Sequence, residues 1–209
     1  TMQPDYRDYL ENINRAALKM QRIIQGILSL ERIEQVADEE GGQVFDLGQL
    51  LRKTIDEQRD DIRRKKQKLR QQITPEPLKI FGDPIQLHEA LANLLSNANK
   101  YTPKSGQITI SVRKVEDTAQ VRIRDNGYGI PEGQQANLFT PFFRAKSDET
   151  DKVEGTGLGL HLVKNIVERH EGEMFFESIY GEGSTFGFNL PLTDKDNWAS
   201  EVTGSTVVG

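Results

Sequence analysis

Seven positions near the N-terminus, Tyr6, Leu10, Ile13, Ala17, Met20, Ile24 and Ile27, follow one another in alternating steps of four and three. That is the a/d spacing of a coiled-coil seam, and it predicts one long helix over about Pro4 to Val36. At ~1.5 Å per residue the helix would run to about 50 Å, more than a small domain can cover. The favoured arrangement is therefore a helical bundle completed by a second chain. A single amphipathic helix lying along its own domain is the other.

The rest of the chain has a different texture. Asp38-Glu39-Glu40-Gly41-Gly42 reads as a hinge-like linker, and Val44 to Leu47 as a short strand feeding a helix with Asp46 as N-cap. That helix, about Leu47 to Lys65, sets Leu50, Leu51, Ile55 and Ile62 on one face and ends in the basic run Arg63 to Arg70. Strands follow near Lys68 to Thr74 and Leu78 to Phe81, then a helix from Pro84 to about Tyr101. Gln107 to Val115 and Thr118 to Arg124 form a hairpin, a helix covers about Leu158 to His170, and a second hairpin spans Met174 to Ile179 and Ser184 to Leu190. This order predicts an α+β fold with helices on one face of a mixed sheet. From Thr193 the chain is polar and aperiodic.

Composition removes several classes of function. There are 27 Lys+Arg against 32 Asp+Glu, a net charge of -5, so the surface as a whole offers no field for nucleic acid. The basic run contains no aromatic residue to stack a base, and cations at a helix C-terminus complement its dipole. Cysteine is absent, which excludes disulfides, thiolate zinc sites and cysteine nucleophiles, and histidine occurs only as His88, His161 and His170. No targeting signal is visible, mean hydropathy is -0.61, and no run approaches the ~20 apolar residues of a membrane span. Thr1 before Met2 and the polar tail suit a piece excised from a longer protein; a cytoplasmic setting is expected for this piece, with a membrane anchor left open for the parent.

Four short motifs carry chemistry. Asn93 and Asn97, four residues apart, project from one face of the helix that ends in Lys100-Tyr101. An amide oxygen is a hard ligand suited to Mg²⁺, although a capping or buried hydrogen-bonding role fits the spacing equally well. Asp125-Asn126-Gly127-Tyr128-Gly129-Ile130 places a carboxylate at a strand end, where it either accepts from an exocyclic amine such as that of adenine or forms a plain turn. Phe139, Phe142 and Phe143 lead to Arg144, at the edge of a polar segment, Ala145 to Glu154, with the composition of a lid. Gly155-Thr156-Gly157-Leu158-Gly159-Leu160 opens a helix and can cradle phosphate, though it is not a Walker sequence.

In this order the motifs resemble the ATP-binding catalytic domain of sensor histidine kinases, in the superfamily shared with gyrase-type topoisomerases, mismatch-repair ATPases and a heat-shock chaperone family. The likeness runs from about Phe45 to Leu192, and the N-terminal helix resembles the second helix of the family's dimerisation and phosphotransfer hairpin. The resemblance implies a two-layer, Bergerat-type sandwich with a partial hairpin helix and linker over residues 1–40, the catalytic domain over 41–192 and a tail over 193–209. It implies ATP and Mg²⁺ as ligands, with Asn97 and Asn93 on the metal and Lys100 and Arg144 neutralising phosphate. Tyr101 would flank the nucleotide and Asp125 select adenine, beside Gly127, Gly129, Ile130 and Phe139. Gly155, Thr156, Gly157, Leu158, Gly159 and Leu160 would close over the phosphates.

Hydrolysing members of that superfamily carry a glutamate where this chain has Asn93, and an amide cannot serve as the base. A kinase with slow intrinsic hydrolysis is expected, with an ATPase or a silent ATP-binding module as alternatives. None of the three histidines sits in a phosphoacceptor motif, so the acceptor is expected outside this chain. The expected partners are a second copy through the N-terminal helix and a response-regulator receiver domain. Nucleic acid is not among them, and membrane contact would come only through parts of the parent beyond this chain.

Overall fold

The structure is a computed structural model, and it describes residues 6–35, 42–151 and 153–193. Helix α1 covers Tyr6–Gln35, within the length expected from the heptads; Pro4 and Val36 lie outside the described residues. It is followed by β1 (Gln43–Asp46), α2 (Leu47–Arg64), β2 (Lys68–Ile73), β3 (Lys79–Gly82) and α3 (Pro84–Tyr101). Then come β4 (Gln107–Val115), β5 (Thr118–Asp125), the short α4 (Glu132–Gln135), α5 (Gly159–Arg169), β6 (Glu173–Ile179) and β7 (Gly183–Pro191).

Five strands form a mixed sheet in the order β2-β4-β5-β7-β6, parallel only between β2 and β4. The alternation expected of half-buried strands is plain: Ile108, Ile110 and Val112 of β4 and Ala119, Val121 and Ile123 of β5 point inward, and their neighbours outward. Against that face pack the apolar stripes of α2 (Leu47, Leu51, Ile55, Ile62), α3 (Leu87, Leu91, Leu94, Leu95) and α5 (Leu162, Val163, Ile166, Val167), with Phe188 of β7 fully buried between the layers. This is the two-layer α+β sandwich with helices on one face.

Asp46 caps α2 as expected, its carboxylate accepting from the Gly48 amide at 2.9 Å and also from Leu78 N at 3.1 Å. It thereby ties the start of α2 to the approach of β3. Two features escaped the sequence. β1 and β3 pair antiparallel as a separate two-stranded sheet, and α4 interrupts the loop after β5.

Helix α1 touches the domain along α5, where Leu158 lies against Gly26. Leu10, Ile13, Met20 and Ile24 of the heptad stripe remain exposed, joined by Tyr9 and Leu28. Among the described residues no helix is long and apolar enough to cross a membrane.

Candidate nucleotide site

Helix α3 builds one wall of a cleft. Its start is fixed by Asp83, whose Oδ1 accepts from Ile85 N at 2.7 Å and Gln86 N at 3.3 Å, with Pro84 in the first turn where a missing N–H costs nothing. Burial of Leu87, Ala90, Leu91, Leu94, Leu95 and Ala98 then fixes its rotation. Asn93, Asn97, Lys100 and Tyr101, at relative positions 0, 4, 7 and 8, consequently share the flank that lines the cleft.

The two asparagines differ in what they have available. Asn93 donates its amide nitrogen to the Glu89 carbonyl at 2.9 Å, which leaves its oxygen facing the start of α5 at Gly159. The Asn97 amide engages no other described residue. Both oxygens suit a hard cation, and no group of three or more His, Cys, Asp or Glu side chains among the described residues is placed to hold a metal. A cation in this cleft therefore needs oxygens from its ligand as well, which fits the phosphates of a nucleotide.

The floor of the cleft comes from the sheet. Asp125 continues the inward row of β5 beyond Ile123, so the strand's own alternation turns its carboxylate into the space between the layers, where it is 8% exposed. Oδ1 accepts from Gly127 N at 2.8 Å. Burial nevertheless dominates and pushes the Asp125 pKa up to about 6, against the lowering effect of amide hydrogen bonds from Gly127 and Ser184. A carboxylate accepts up to four hydrogen bonds, so beyond these two amides Asp125 keeps capacity for an N–H group of a ligand. Gly129 completes this end at φ 65°, where a side chain would collide with the Ile179 carbonyl.

The lid forms the opposite wall. Arg144 donates to the Val153 carbonyl and, at 3.4 Å, to the Gly155 carbonyl, bridging the two ends of the segment. Its Nε is buried without a partner. Three further ties hold the lid: the Gln134 side chain donates to Lys146 O at 2.9 Å and accepts from Lys146 N at 2.8 Å, Thr150 Oγ1 accepts from Ser147 N, and Tyr180 O–H donates to Glu149 at 3.0 Å. At the neck, Gly157 (φ 78°) presses on the Phe142 backbone, which itself sits at φ 63°. Helix α5 then opens without a side-chain cap, leaving first-turn amides available to an anion.

The cleft so formed has a volume of about 1120 Å³ including its open mouth. Around it stand Asn93, Asn97, Lys100, Tyr101, Asp125, Gly129, Ile130, Arg144, Gly155, Thr156, Gly157, Gly159 and Leu160. Three other residues proposed from the sequence stand behind its walls. Gly127 supplies the amide that holds Asp125, Phe139 packs edge-on against Phe176 at 5.8 Å, and Leu158 is turned toward α1. The aromatic of that motif that reaches the cleft is Phe143, whereas Phe142 is 57% exposed.

Ser184 and Phe186 also line the cleft and were not legible in the sequence. They arrive because β7 pairs with β5 in a register that sets Ser184 opposite Asp125 and Phe186 opposite Ile123. The three histidines are occupied elsewhere. His88 meets Glu57 at 2.7 Å, His161 meets Phe139 O and Asn165, and His170 meets Ile166 O and Asp83 N.

Comparison with known proteins agrees with this fold. Residues 82–194 match the family described as histidine kinase-, DNA gyrase B- and HSP90-like ATPase. The adaptive-response sensory kinase SasA of Thermosynechococcus vestitus is 37% identical over 149 residues, covering 71% of this chain and 39% of its own length. Among solved structures, the catalytic domain of the histidine kinase ThkA superposes with a TM-score of 0.64 at 28% identity, over 73% of this chain and 98% of that one. ThkA in complex with the response regulator protein TrrA shares the fold at a TM-score of 0.70 and 23% identity, over 94% of this chain and 55% of that one. The chain spans well under half the length of the first curated relatives it matches, 42% and 39%. It belongs to the histidine kinase-, DNA gyrase B- and HSP90-like ATPase family, and within that family it is similar to the sensor histidine kinases.

Proposed function

We propose that this chain binds Mg²⁺-ATP in the cleft between α3 and the lid and delivers the γ-phosphoryl group to a histidine that lies outside it, for onward transfer to a response-regulator aspartate. The observation that carries this is the meeting of a buried Asp125 carboxylate at one end of the cleft with Asn97, Lys100, Arg144 and the uncapped start of α5 at the other. One end suits an adenine amine and the other a polyphosphate.

Phosphoryl transfer asks little covalent chemistry of the protein beyond positioning and charge stabilisation. Asp125 accepts from the base, Lys100 and Arg144 neutralise phosphate, and the α5 amides orient it. Asn97, with the free oxygen of Asn93, would hold Mg²⁺, which when bound supplies charge neutralisation between the phosphates. The exposed stripe of α1 is the surface for a second copy, and a cytoplasmic setting suits the reaction. Asn93 already gives its nitrogen to the Glu89 carbonyl and offers no group to deprotonate water, which favours the kinase over an ATPase.

The test mixes this chain with a separate hairpin fragment bearing a phosphoacceptor histidine and γ-labelled ATP. Acid-labile label on the hairpin and none on this chain is expected. Label on His88, His161 or His170, or steady hydrolysis at about 1 per second or faster by the chain alone, would overturn the proposal.

A further inference from the structure

The last turn of a helix leaves carbonyl oxygens without intrahelical donors. In α3 this turn carries Lys100 and Tyr101 into the cleft, so what satisfies it also sets their direction. Thr102 N closes on Ala98 O, and the Tyr101 carbonyl accepts from Tyr128 N at 3.2 Å. The remaining carbonyls are met by the basic end of α2, a stretch that nucleotide chemistry has left without a role. Lys65 Nζ donates to Asn99 O at 2.5 Å, Lys100 O at 3.1 Å and Thr102 O at 2.8 Å. Gln67 Nε2 reinforces it, donating to Asn99 O at 3.0 Å and Thr102 O at 2.8 Å.

The neighbourhood is rich in acceptors and short of donors, since Asn99 Oδ1, Thr102 Oγ1 and Gln67 Oε1 are buried without partners. An ammonium supplies three donors and a charge opposite to the helix C-terminal dipole, and no other side chain type does both at one point. Backbone geometry delivers it. Lys66 takes a left-handed conformation (φ 54°), its amide returning to Arg63 O and that of Gln67 to Ile62 O, so the chain reverses and Lys65 and Gln67 reach the same turn of α3.

We infer that Lys65 is a positioning residue for phosphate binding: seated among the Asn99, Lys100 and Thr102 carbonyls, its ammonium holds the last turn of α3 so that Lys100 meets the nucleotide phosphates. The inference rests on the proposed function of the cleft. It bears on phosphate more than on base, because Lys100 sits on the turn that Lys65 holds, whereas the Asp125 carboxylate lies on β5 and accepts directly from Gly127.

The experiment measures dissociation constants of the full chain for ATP and for adenosine in Lys65→Ala, with propylammonium or tetramethylammonium added at equal ionic strength. Propylammonium replaces the missing ammonium and its stem, whereas tetramethylammonium brings charge without an N–H donor. The expected result is ATP affinity about tenfold weaker, adenosine affinity changed by less than about twofold, and recovery of ATP affinity with propylammonium alone. Equal weakening of both ligands, ATP affinity within about twofold of the wild type, or equal effects of the two amines would overturn the inference. Should Lys65→Ala not fold, Lys65→Met carries the same ATP-against-adenosine comparison. Wild-type protein that binds no ATP would instead sink the proposed function, and this inference with it.

Discussion

The backbone amide of Asp83 donates to Nε2 of His170 at 3.0 Å, joining the N-terminus of α3 to the C-terminus of α5. The other ring nitrogen, Nδ1, lies 2.7 Å from the Ile166 carbonyl and must carry the proton, so the ring is neutral with its lone pair turned to Asp83. Burial lowers the His170 pKa below its ordinary 6.5, outweighing the raising effects of Ile166 O and the Asp83 carboxylate, while Arg169 adds to the lowering.

A folded-state pKa below the unfolded value means that the unfolded chain binds the proton more readily. This contribution to stability is complete above pH 6.5 and is lost as pH falls toward the depressed folded value. The denaturation midpoint should therefore drop more steeply between pH 7.5 and about 5.5 in wild type than in His170→Gln, whose side chain does not titrate there. Parallel pH profiles for the two proteins would remove the Asp83–His170 link as a cause.

Asp125 works in the opposite direction. Its folded pKa of about 6 lies above the ordinary 3.8, so the folded state holds the proton more tightly and stability falls as pH rises through that window. Asp125→Asn should raise stability at pH 7.5 by on the order of 2 kcal/mol, since each tenfold difference in proton affinity between folded and unfolded chain corresponds to about 1.4 kcal/mol. The same substitution should weaken ATP binding. In wild type, affinity should rise up to about tenfold from pH 5 to pH 7.5 as the carboxylate ionises, measured by calorimetric titration.

Asn97 gives a cleaner separation of folding from binding. Its amide makes no hydrogen bond to another described residue, so Asn97→Ala should leave stability within about 0.5 kcal/mol of wild type. ATP affinity in the presence of Mg²⁺ should fall at least tenfold, about 1.4 kcal/mol. A large stability loss, or unchanged affinity, would show that the oxygen is used differently.

Replacing Arg144 should act on the lid before it acts on the core. Its guanidinium joins residue 144 to the carbonyls of Val153 and Gly155. In Arg144→Ala, amide hydrogen exchange over 145–154 should accelerate while that of β4 and β5 stays slow. Uniform exchange across lid and sheet would contradict this.

The apolar stripe of α1 makes a prediction about association. Ile13, Met20 and Ile24 are 64%, 59% and 58% exposed, a surface a helix of this length does not leave to water without reason. Sedimentation of wild type should show a concentration-dependent dimer, and Ile13→Lys with Ile24→Lys should leave a monomer that still binds ATP.

Local rules made much of this molecule readable. Asp46 announces its helix by capping, the alternation of Ile108, Ile110 and Val112 announces a half-buried strand, and helix α3 begins and ends where Pro84 and Tyr101 suggest. The four motifs are local in the same sense, each held within a short stretch of chain. What stayed hidden depends on partners far apart in sequence. Ser184 becomes a cleft residue only by lying opposite Asp125 across the β5–β7 ladder, and Gln134 becomes a lid tie only because it reaches Lys146. Lys65 looked like one cation in a solvated run until the fold brought it to α3.

The neck formed by Phe142 and Gly157 separates the length of the lid from the packing of the sandwich beneath it. Both residues adopt left-handed backbone and press on one another, so the loop between them leaves and returns at one point. Once its ends are pinned, each doubling of a loop adds only about 0.6 kcal/mol of closure entropy. Residues can therefore be added or removed over 145–154 with little effect on the sandwich beneath, whereas a side chain at Gly157 would force the neck apart. One wall of the cleft thus hangs from a single crossing of the chain.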